Sequence, residues 1–503
     1  MIRGIFDYFL RIEKWFFDFN EKSFIKRVES SNFDINNGQN NKVVLIQCVN
    51  DFFYYKLFYN VIKNEVKSNK YNFCGISPNL FVIKQEYNYL YILNRIVSIL
   101  NFYFINRKWI KLYEVVGLKT IYSLDSINFF KKLRYFIKAI YVWVNLKSKN
   151  ELLNLYYNDI FVGDLIYDTY LRFRISPTVY IRDPFLCYYI YKSIVAVESC
   201  EQLVLKINIS KYFCSYATYI QHGVPIRVFL KHNIDVYSSG NLQQLFKKLS
   251  REDYLQTSNH QGYYRDFLQF EDRESKLKIA RDLLESKFNG NIDTSISYMK
   301  ESAFRNDNFN RSFGKFDGVI FLHDFFDSPH IYKDLLFNDF YEWINHTLSL
   351  ISQYGLNIAV KPHPNQISES KKILDILKAK YRNIVWLEAD ISNNTIFNSG
   401  IKFGISVYGT ILHELAYFGI NPICAGDNPH YSFDFVHKPK NIHDYNYLIL
   451  NYKQLSLPNN YKELVEIFFY MHNIHKSDSY SFENLDYQFK NRVYSSSCLN
   501  EIE

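Results

Sequence analysis

The sequence predicts an α/β protein built from two doubly wound domains, and three observations lead to that class. At 503 residues the chain is too long for a single hydrophobic core. Short uninterrupted apolar runs alternate with longer segments whose apolar residues recur at helical spacing, the pattern of strands and crossover helices. Several runs end abruptly in loops that carry Gly, Pro, His or a carboxylate, and open α/β sheets bind ligands at such strand ends.

Composition narrows the class. Hydrophobic residues make up 48% and charged residues 22%, which describes a globular chain and excludes a disordered one. A/T-rich codons account most simply for the 44 Tyr and 44 Phe, with a functional aromatic surface as the other reading. A net charge of +8 suits an anionic donor, an anionic lipid or an acidic polymer. Nucleic acid is not an expected partner, because paired Cys/His finger spacing, an aromatic RNA-binding run and basic zipper heptads are all missing. The seven cysteines are odd in number and contain no C-x-x-C, so neither a disulfide framework nor a zinc site follows, and a reducing compartment is favoured. Met1 to Phe17 is broken by Arg3, Asp7, Arg11, Glu13 and Lys14, which does not make a signal peptide. The longest apolar stretch, Tyr87 to Ile105, is interrupted by Arg95 and cannot span a bilayer. The expected location is cytoplasmic, with peripheral contact at the inner face of the cytoplasmic membrane.

The elements follow in order. Residues 1–30 read as an amphipathic helix rich in Phe, with Trp15, and Lys42 to Val49 as the first buried parallel strand. Phe129 to Trp143 interleaves Lys131, Lys132, Arg134 and Lys138 with Phe130, Leu133, Phe136, Ile137, Ile140 and Tyr141. That is either a basic amphipathic helix for anionic lipid or a core-facing helix with a solvated basic face. Asp159 to Val162, Ile194 to Val197 and Tyr216 to Ile220 are strand candidates of a first domain covering 1–305. Residues 245–315 are polar and mostly helical, with apolar residues at helical spacing from Glu274 to Phe288, and Asn306 to Gly314 is the linker candidate. A second domain over 315–440 opens at Gly318 to Leu322. Its strands recur at Asn357 to Val360, Asn383 to Leu387, Ile401 to Ile405 and Pro422 to Ala425. Residues 441–503 are predicted to form a helical extension that packs back on the first domain.

Four strand exits carry the chemistry. In Lys361-Pro362-His363-Pro364 the two prolines stiffen the turn and hold an imidazole at a strand's carboxyl end. Ser406 to Glu414 places Gly409 where backbone and ligand can approach closely, Thr410 where it can cap a helix or meet a phosphate, and Glu414 one turn further on, able to accept from ribose hydroxyls. His323-Asp324-Phe325-Phe326-Asp327-Ser328-Pro329-His330 follows a strand end too. Its two His and two Asp invite a metal reading, but the ligand spacing is irregular and no metal is expected. Gln221-His222-Gly223 supplies an imidazole beside a tight turn from the first domain, with Arg227 four residues beyond Gly223.

In this order the four segments resemble the large bacterial capsule and surface-polysaccharide biosynthesis group of GT-B glycosyltransferases, in its Kdo- or nonulosonate-transferase-like form. The likeness runs from about Phe161 to about Tyr431 and is strongest after Val319. Tyr408 departs from it, standing where the group usually has a small residue. The resemblance implies two Rossmann-like domains facing a cleft. The first would be the acceptor side and the second would bind the donor nucleotide. It implies metal-independent transfer, without a cofactor, from a nucleotide-sugar donor to a glycan or lipid-linked glycan of a capsule, O-antigen or lipopolysaccharide. A CMP-linked acidic sugar is the first donor candidate, with UDP- and GDP-sugars open. The donor-binding set would be Gln221, Gly223, His323, Asp327, Lys361, His363, Pro364, Ser406, Gly409, Thr410 and Glu414. His222 would act beside the donor phosphate. Inverting transfer would also need a carboxylate base, for which Asp164 and then Asp168 are the candidates, Asp168 having a competing i, i+4 salt bridge to Arg172. Two other readings stay open: a CDP-polyol phosphotransferase of the teichoic-acid type, and a non-catalytic glycan- or nucleotide-binding partner in a polysaccharide assembly complex.

Overall fold

Strands that are apolar along their whole length are buried on both faces, and here they build two parallel sheets. The structure, a computed structural model, describes residues 15–30, 41–66, 71–78, 91–239, 245–291, 302–304, 314–364 and 366–476. The expected amphipathic helix over 1–30, the linker after Asn306 and the end of the C-terminal extension therefore fall partly outside the described residues.

The first sheet uses β1 (Lys42–Gln47), β2 (Asn72–Ser77) and β3 (Ile121–Ser123). After a two-stranded ribbon of β4 (Tyr156–Tyr157) and β5 (Ile160–Phe161), it continues with β6 (Asn208–Cys214), β7 (Asp235–Ser238) and β8 (Lys247–Leu249). Its order is β3-β2-β1-β6-β7-β8, all parallel except β8. Val44, Ile46, Phe58, Trp109, Tyr113 and Phe213 anchor the core on one side of it.

The second sheet contains β9 (Gly318–Phe321), β10 (Ile358–Lys361), β11 (Val385–Trp386), β12 (Phe403–Ser406) and β13 (Asn421–Cys424). Its order is β11-β10-β9-β12-β13, with every pair parallel. Alternation along β9 sends Ile320 and Leu322 into a layer with Trp343, Leu348 and Tyr445. Val319 and Phe321 enter the opposite layer with Leu277, Leu284, Leu415 and Phe468.

The described chain divides into two units: residues 15–174 and 180–256 in one, and Ile175–Val179 with residues 257–476 in the other. The division at Gln256 differs from the expected one near residue 305. The reason is packing, since the Arg273–Phe288 helix buries Leu277, Ala280 and Leu284 under the second sheet and not the first. The Tyr461–Phe469 helix lies in the same layer, so the described part of the C-terminal extension belongs to the second unit.

Three sequence assignments change. Ile194 to Val197 lies inside the Pro184–Lys206 helix, capped by Asp183 and largely buried. A helix buried on most sides reads as a continuous apolar run, which cannot be told from a strand by pattern. Tyr216 to Tyr219 is the loop after β6 and Ile220 opens a helix, so Gln221-His222-Gly223 lies in the first turn of the Ile220–Lys231 helix and not at a strand end. Asn158 and Asp159, at φ +48° and +61°, are the two-residue turn between β4 and β5.

Tyr445 ties the C-terminal helices to the second sheet. Its hydroxyl accepts from Trp343 Nε1 at 2.9 Å and meets Thr347 Oγ1 at 2.8 Å, all three side chains being buried. Tyr445→Phe leaves the indole N–H unpaired in the core. It is expected to lower the stability of this unit by about 1–3 kcal/mol in denaturant titration. No loss would mean that the Ile442–Leu450 helix is not held by this network.

Candidate functional site

Parallel strands that depart to opposite sides of a first strand leave a gap at their carboxyl ends, the switch point where open sheets take ligands. In the second unit the chain goes from β9 to β10 on one side and later to β12 on the other. The residues just past these three ends are His323, His363 and Ser406 to Gly409.

His323 is the centre of the group. Its Nε2 lies 3.2 Å from Ser406 Oγ, which also donates to the Phe321 carbonyl at 3.2 Å, and the Tyr408 amide approaches the same nitrogen at 3.5 Å. The ring stacks on Phe340 at 4.7 Å and meets Tyr408 at 4.7 Å. Burial, followed by the nearby His363, pushes its pKa well below the usual range, so it stays neutral. His363 is half-buried and also lowered, first by burial, with Asp324 and Asp327 acting in the opposite direction. Gly409 keeps the gap open: a Cβ there would sit 3.2 Å from Ser406 Oγ and 3.6 Å from His323 Cε1. Tyr408, the residue that departs from the resembled pattern, packs on His323 and donates its hydroxyl to Ser328 O at 3.1 Å.

Asp324 joins two of the loops at this switch point. It accepts from the Phe326 amide at 2.9 Å, the Ile367 amide at 2.7 Å and Ser370 Oγ at 3.2 Å. One carboxylate thus ties the loop after His323 to the loop after His363. Asp327 is exposed and accepts from the Ser328 amide at 3.0 Å. Among the described residues no group of three or more His, Cys, Asp or Glu is placed to hold a metal ion.

Other members of the expected donor set are engaged internally. Lys361 is buried at the end of β10 and donates to Asn393 Oδ1 at 2.8 Å, while Asn393 Nδ2 donates to Glu414 Oε2 at 3.3 Å. The other Glu414 oxygen pairs with Lys287 at 2.9 Å. Glu414 is only 4% exposed, so a ribose would have to compete with Lys287 and Asn393 for it. Thr410 is exposed and its side chain makes no capping bond, and Pro364 is exposed beside His363.

The first unit repeats the arrangement with different residues. Its switch point lies between β1 and β6. Gln47, the last residue of β1, accepts from both the amide (3.0 Å) and the hydroxyl (2.7 Å) of Ser215, just past β6. With its proton on Gln47, Ser215 Oγ accepts from His222 Nδ1 at 3.3 Å, which leaves the Nε2 lone pair available. Tyr216 lies against the ring at 4.3 Å, and burial pushes the His222 pKa down to about 3. Tyr219, at φ +63° and ψ +157°, reverses the chain immediately before the helix in a conformation rarely adopted by residues other than glycine. The Ile220 amide then donates to Thr169 Oγ1 at 3.0 Å. Gln221 follows, its Oε1 buried without a hydrogen-bond partner. Gly223 packs on Leu165, and a Cβ there would meet the Ala217 carbonyl at 2.6 Å. The Gln47–Ser215 half of this network escaped sequence reasoning, because the polar Asn208-Ile209-Ser210-Lys211 start hides β6.

The two candidate bases are not free acceptors. Asp164 is gripped by the fork of Arg227, Nη1 to Oδ1 and Nη2 to Oδ2, both at 2.6 Å. Asp168 is 2% exposed one turn further on and adds to the stabilisation of the Arg227 charge. Arg227, expected to bring positive charge to a ligand, is thus neutralised by Asp164 inside the first unit.

No family model matches the chain, and no curated protein matches it. Among solved structures, a beta Kdo 2,4 transferase, KpsC of Thermosulfurimonas dismutans, is 12% identical with a TM-score of 0.32, covering 52% of this chain and 79% of its own. The UDP-GlcNAc 2-epimerase of Neisseria meningitidis bound to UDP-GlcNAc is 9% identical with a TM-score of 0.23, covering 85% and 95%. A putative UDP-N-acetylglucosamine 2-epimerase of Listeria monocytogenes is 7% identical with a TM-score of 0.25, covering 85% and 93%. At these scores the likeness carries no weight for activity.

Two outcomes follow. Glu414→Ala removes the buried carboxylate that pairs with Lys287 and accepts from the Asn393 amide. It should destabilise the second unit by about 3–5 kcal/mol in denaturant titration, the usual cost of breaking a buried pair. A stable Glu414→Ala protein would return Glu414 to the ligand. His222 is neutral when folded and titrates normally when unfolded, so below about pH 6.5 the unfolded chain binds the extra proton. Stability is therefore retained above that pH and declines by about 1.4 kcal/mol per pH unit as pH falls towards the folded value. His222→Asn should fall less steeply between pH 7.5 and 5.5, and equal slopes would show that His222 is protonated in the fold.

Proposed function

We propose that this protein is a GT-B-type glycosyltransferase of surface-polysaccharide assembly. It takes a nucleotide-sugar donor at the carboxyl ends of β9, β10 and β12 and passes the sugar to a glycan or lipid-linked glycan. The observation that carries this reading is the meeting of His323, His363 and Gly409 at the switch point of the second unit. The ordered motif resemblance adds the reaction class and favours a CMP-linked acidic sugar as donor.

The departing nucleotide leaves with developing negative charge on its phosphate. His363, half-buried on a proline-stiffened loop, can donate an N–H to that oxygen, with Asp324 fixing the loop. Gly409 lets the phosphate approach the backbone, and the exposed Thr410 hydroxyl can add a further donor. Lys361 and Glu414 support this site from beneath through Asn393. His222, held neutral with its Nε2 lone pair available, gives the first unit a hydrogen-bond acceptor for a hydroxyl at its own strand ends. Asp164 is paired with Arg227, so a role as the acceptor's base would require that pair to open.

The test is thermal shift with CMP, UDP, GDP and CDP, followed by product analysis with the matching donor. One nucleotide should stabilise the protein, by about 2.7 kcal/mol at a hundred times its Kd. His363→Ala should abolish that shift with little change in the ligand-free melting temperature. The reading fails if no nucleotide binds, or if the His363→Ala protein binds as tightly as the parent. A product carrying a polyol phosphate would replace sugar transfer with the phosphotransferase reaction.

A further inference from the structure

The Phe129–Asn145 helix inverts the usual arrangement of a surface helix. Asn128 caps it, accepting from the Lys131 amide at 2.9 Å. One face, carrying Tyr135 and Ala139, packs on the Pro184–Lys206 helix, with Tyr135 donating to Glu198 at 2.8 Å. The opposite face is apolar and open. Phe129, Phe130, Leu133, Ile137, Tyr141 and Val144 are 73%, 82%, 50%, 60%, 72% and 55% exposed. At 3.6 residues per turn these six fall within an arc of about 120°. A contiguous exposed apolar patch of this kind marks an interaction surface.

Charge identifies what covers this face. Lys131, Arg134 and Lys138 are exposed along one flank of the same arc, Lys138 lying 4.3 Å over the Tyr157 ring. Arg182 adds a guanidinium at the helix end, donating to the Val144 carbonyl at 3.1 Å. The helix itself contains no acidic residue. A second copy docked face to face would set rows of like charge beside each other with no carboxylate on the helix to answer them. A bilayer with anionic headgroups accepts the aromatic and aliphatic side chains at the acyl boundary and neutralises the basic flank. No described helix is long and apolar enough to cross a membrane, so the contact lies in the plane of the interface.

We propose that the Phe129–Asn145 helix is a membrane-docking surface for anionic lipid, independent of the nucleotide site. The full chain is sedimented with phosphatidylcholine vesicles, with and without phosphatidylglycerol. Binding is expected to the anionic vesicles and to weaken in high salt. A Phe130→Ser/Ile137→Ser/Tyr141→Ser variant should lose roughly tenfold or more in binding. Lys131→Glu/Arg134→Glu/Lys138→Glu should lose at least roughly fivefold per charge, towards the level seen on neutral vesicles. All six positions are exposed, and circular dichroism melts check that both variants fold. The proposal is overturned if the parent protein ignores anionic vesicles or if the variants bind as well as the parent. It is equally overturned if the parent is a dimer that the serine variant converts to monomer without any change in lipid binding.

Discussion

Parallel strands cannot hydrogen-bond past the point where their connections part, and that constraint organises both units. At each switch point the last backbone groups and the first loop residues must be satisfied without closing the gap. A serine at the strand end solves this twice, Ser215 just past β6 against Gln47 and Ser406 closing β12 against the Phe321 carbonyl. Each hydroxyl then faces an imidazole, and each imidazole is backed by a tyrosine, Tyr216 or Tyr408. The histidines are neutral because converging strands take them out of water, His222 fully and His323 in part. Their chemistry as uncharged hydrogen-bonding groups is thus a consequence of sheet topology.

Beneath the second site, charge is stabilised by chain order. Lys361, Asn393, Glu414 and Lys287 form a relay from a strand end to a helix on the far side of the sheet. Removing Glu414 would disturb the helix that closes the lower layer as well as the strand that presents His363. Positioning and stability are coupled here, and a loss of activity at this residue has to be read together with a stability measurement.

How much of this was legible depended on the length and purity of each signal. Strands β9, β10 and β12 were readable because they are short, apolar up to their last residue and punctuated by Gly, Pro or Ser, and the residues at and after their ends formed the site list. The Arg273–Phe288 helix was readable from its spacing, yet its allegiance was not, because helical periodicity says that a face is buried and not against what. The Pro184–Lys206 helix and β6 were hidden for opposite reasons. The helix is apolar on too many faces, and the strand starts with polar residues, among them Lys211, which is held by Glu65 at 2.9 Å. The partners of carboxylates were the least legible: Asp164 and Glu414 looked available in one dimension, and Arg227 and Lys287 come from 63 and 127 residues away to pair with them.

The short piece Ile175–Val179 carries a consequence for how the protein is made. It belongs to the second unit, where Thr178 donates to Asp339 at 2.6 Å, the residue that caps the Phe340–Tyr354 helix. On the ribosome Thr178 emerges 161 residues ahead of Asp339. At synthesis rates of about 5–20 residues per second its partner is delayed by roughly 8–30 seconds. The second unit therefore cannot complete its fold from a contiguous nascent segment. Its completion draws on a segment translated before the first unit's own Tyr180–Gln256.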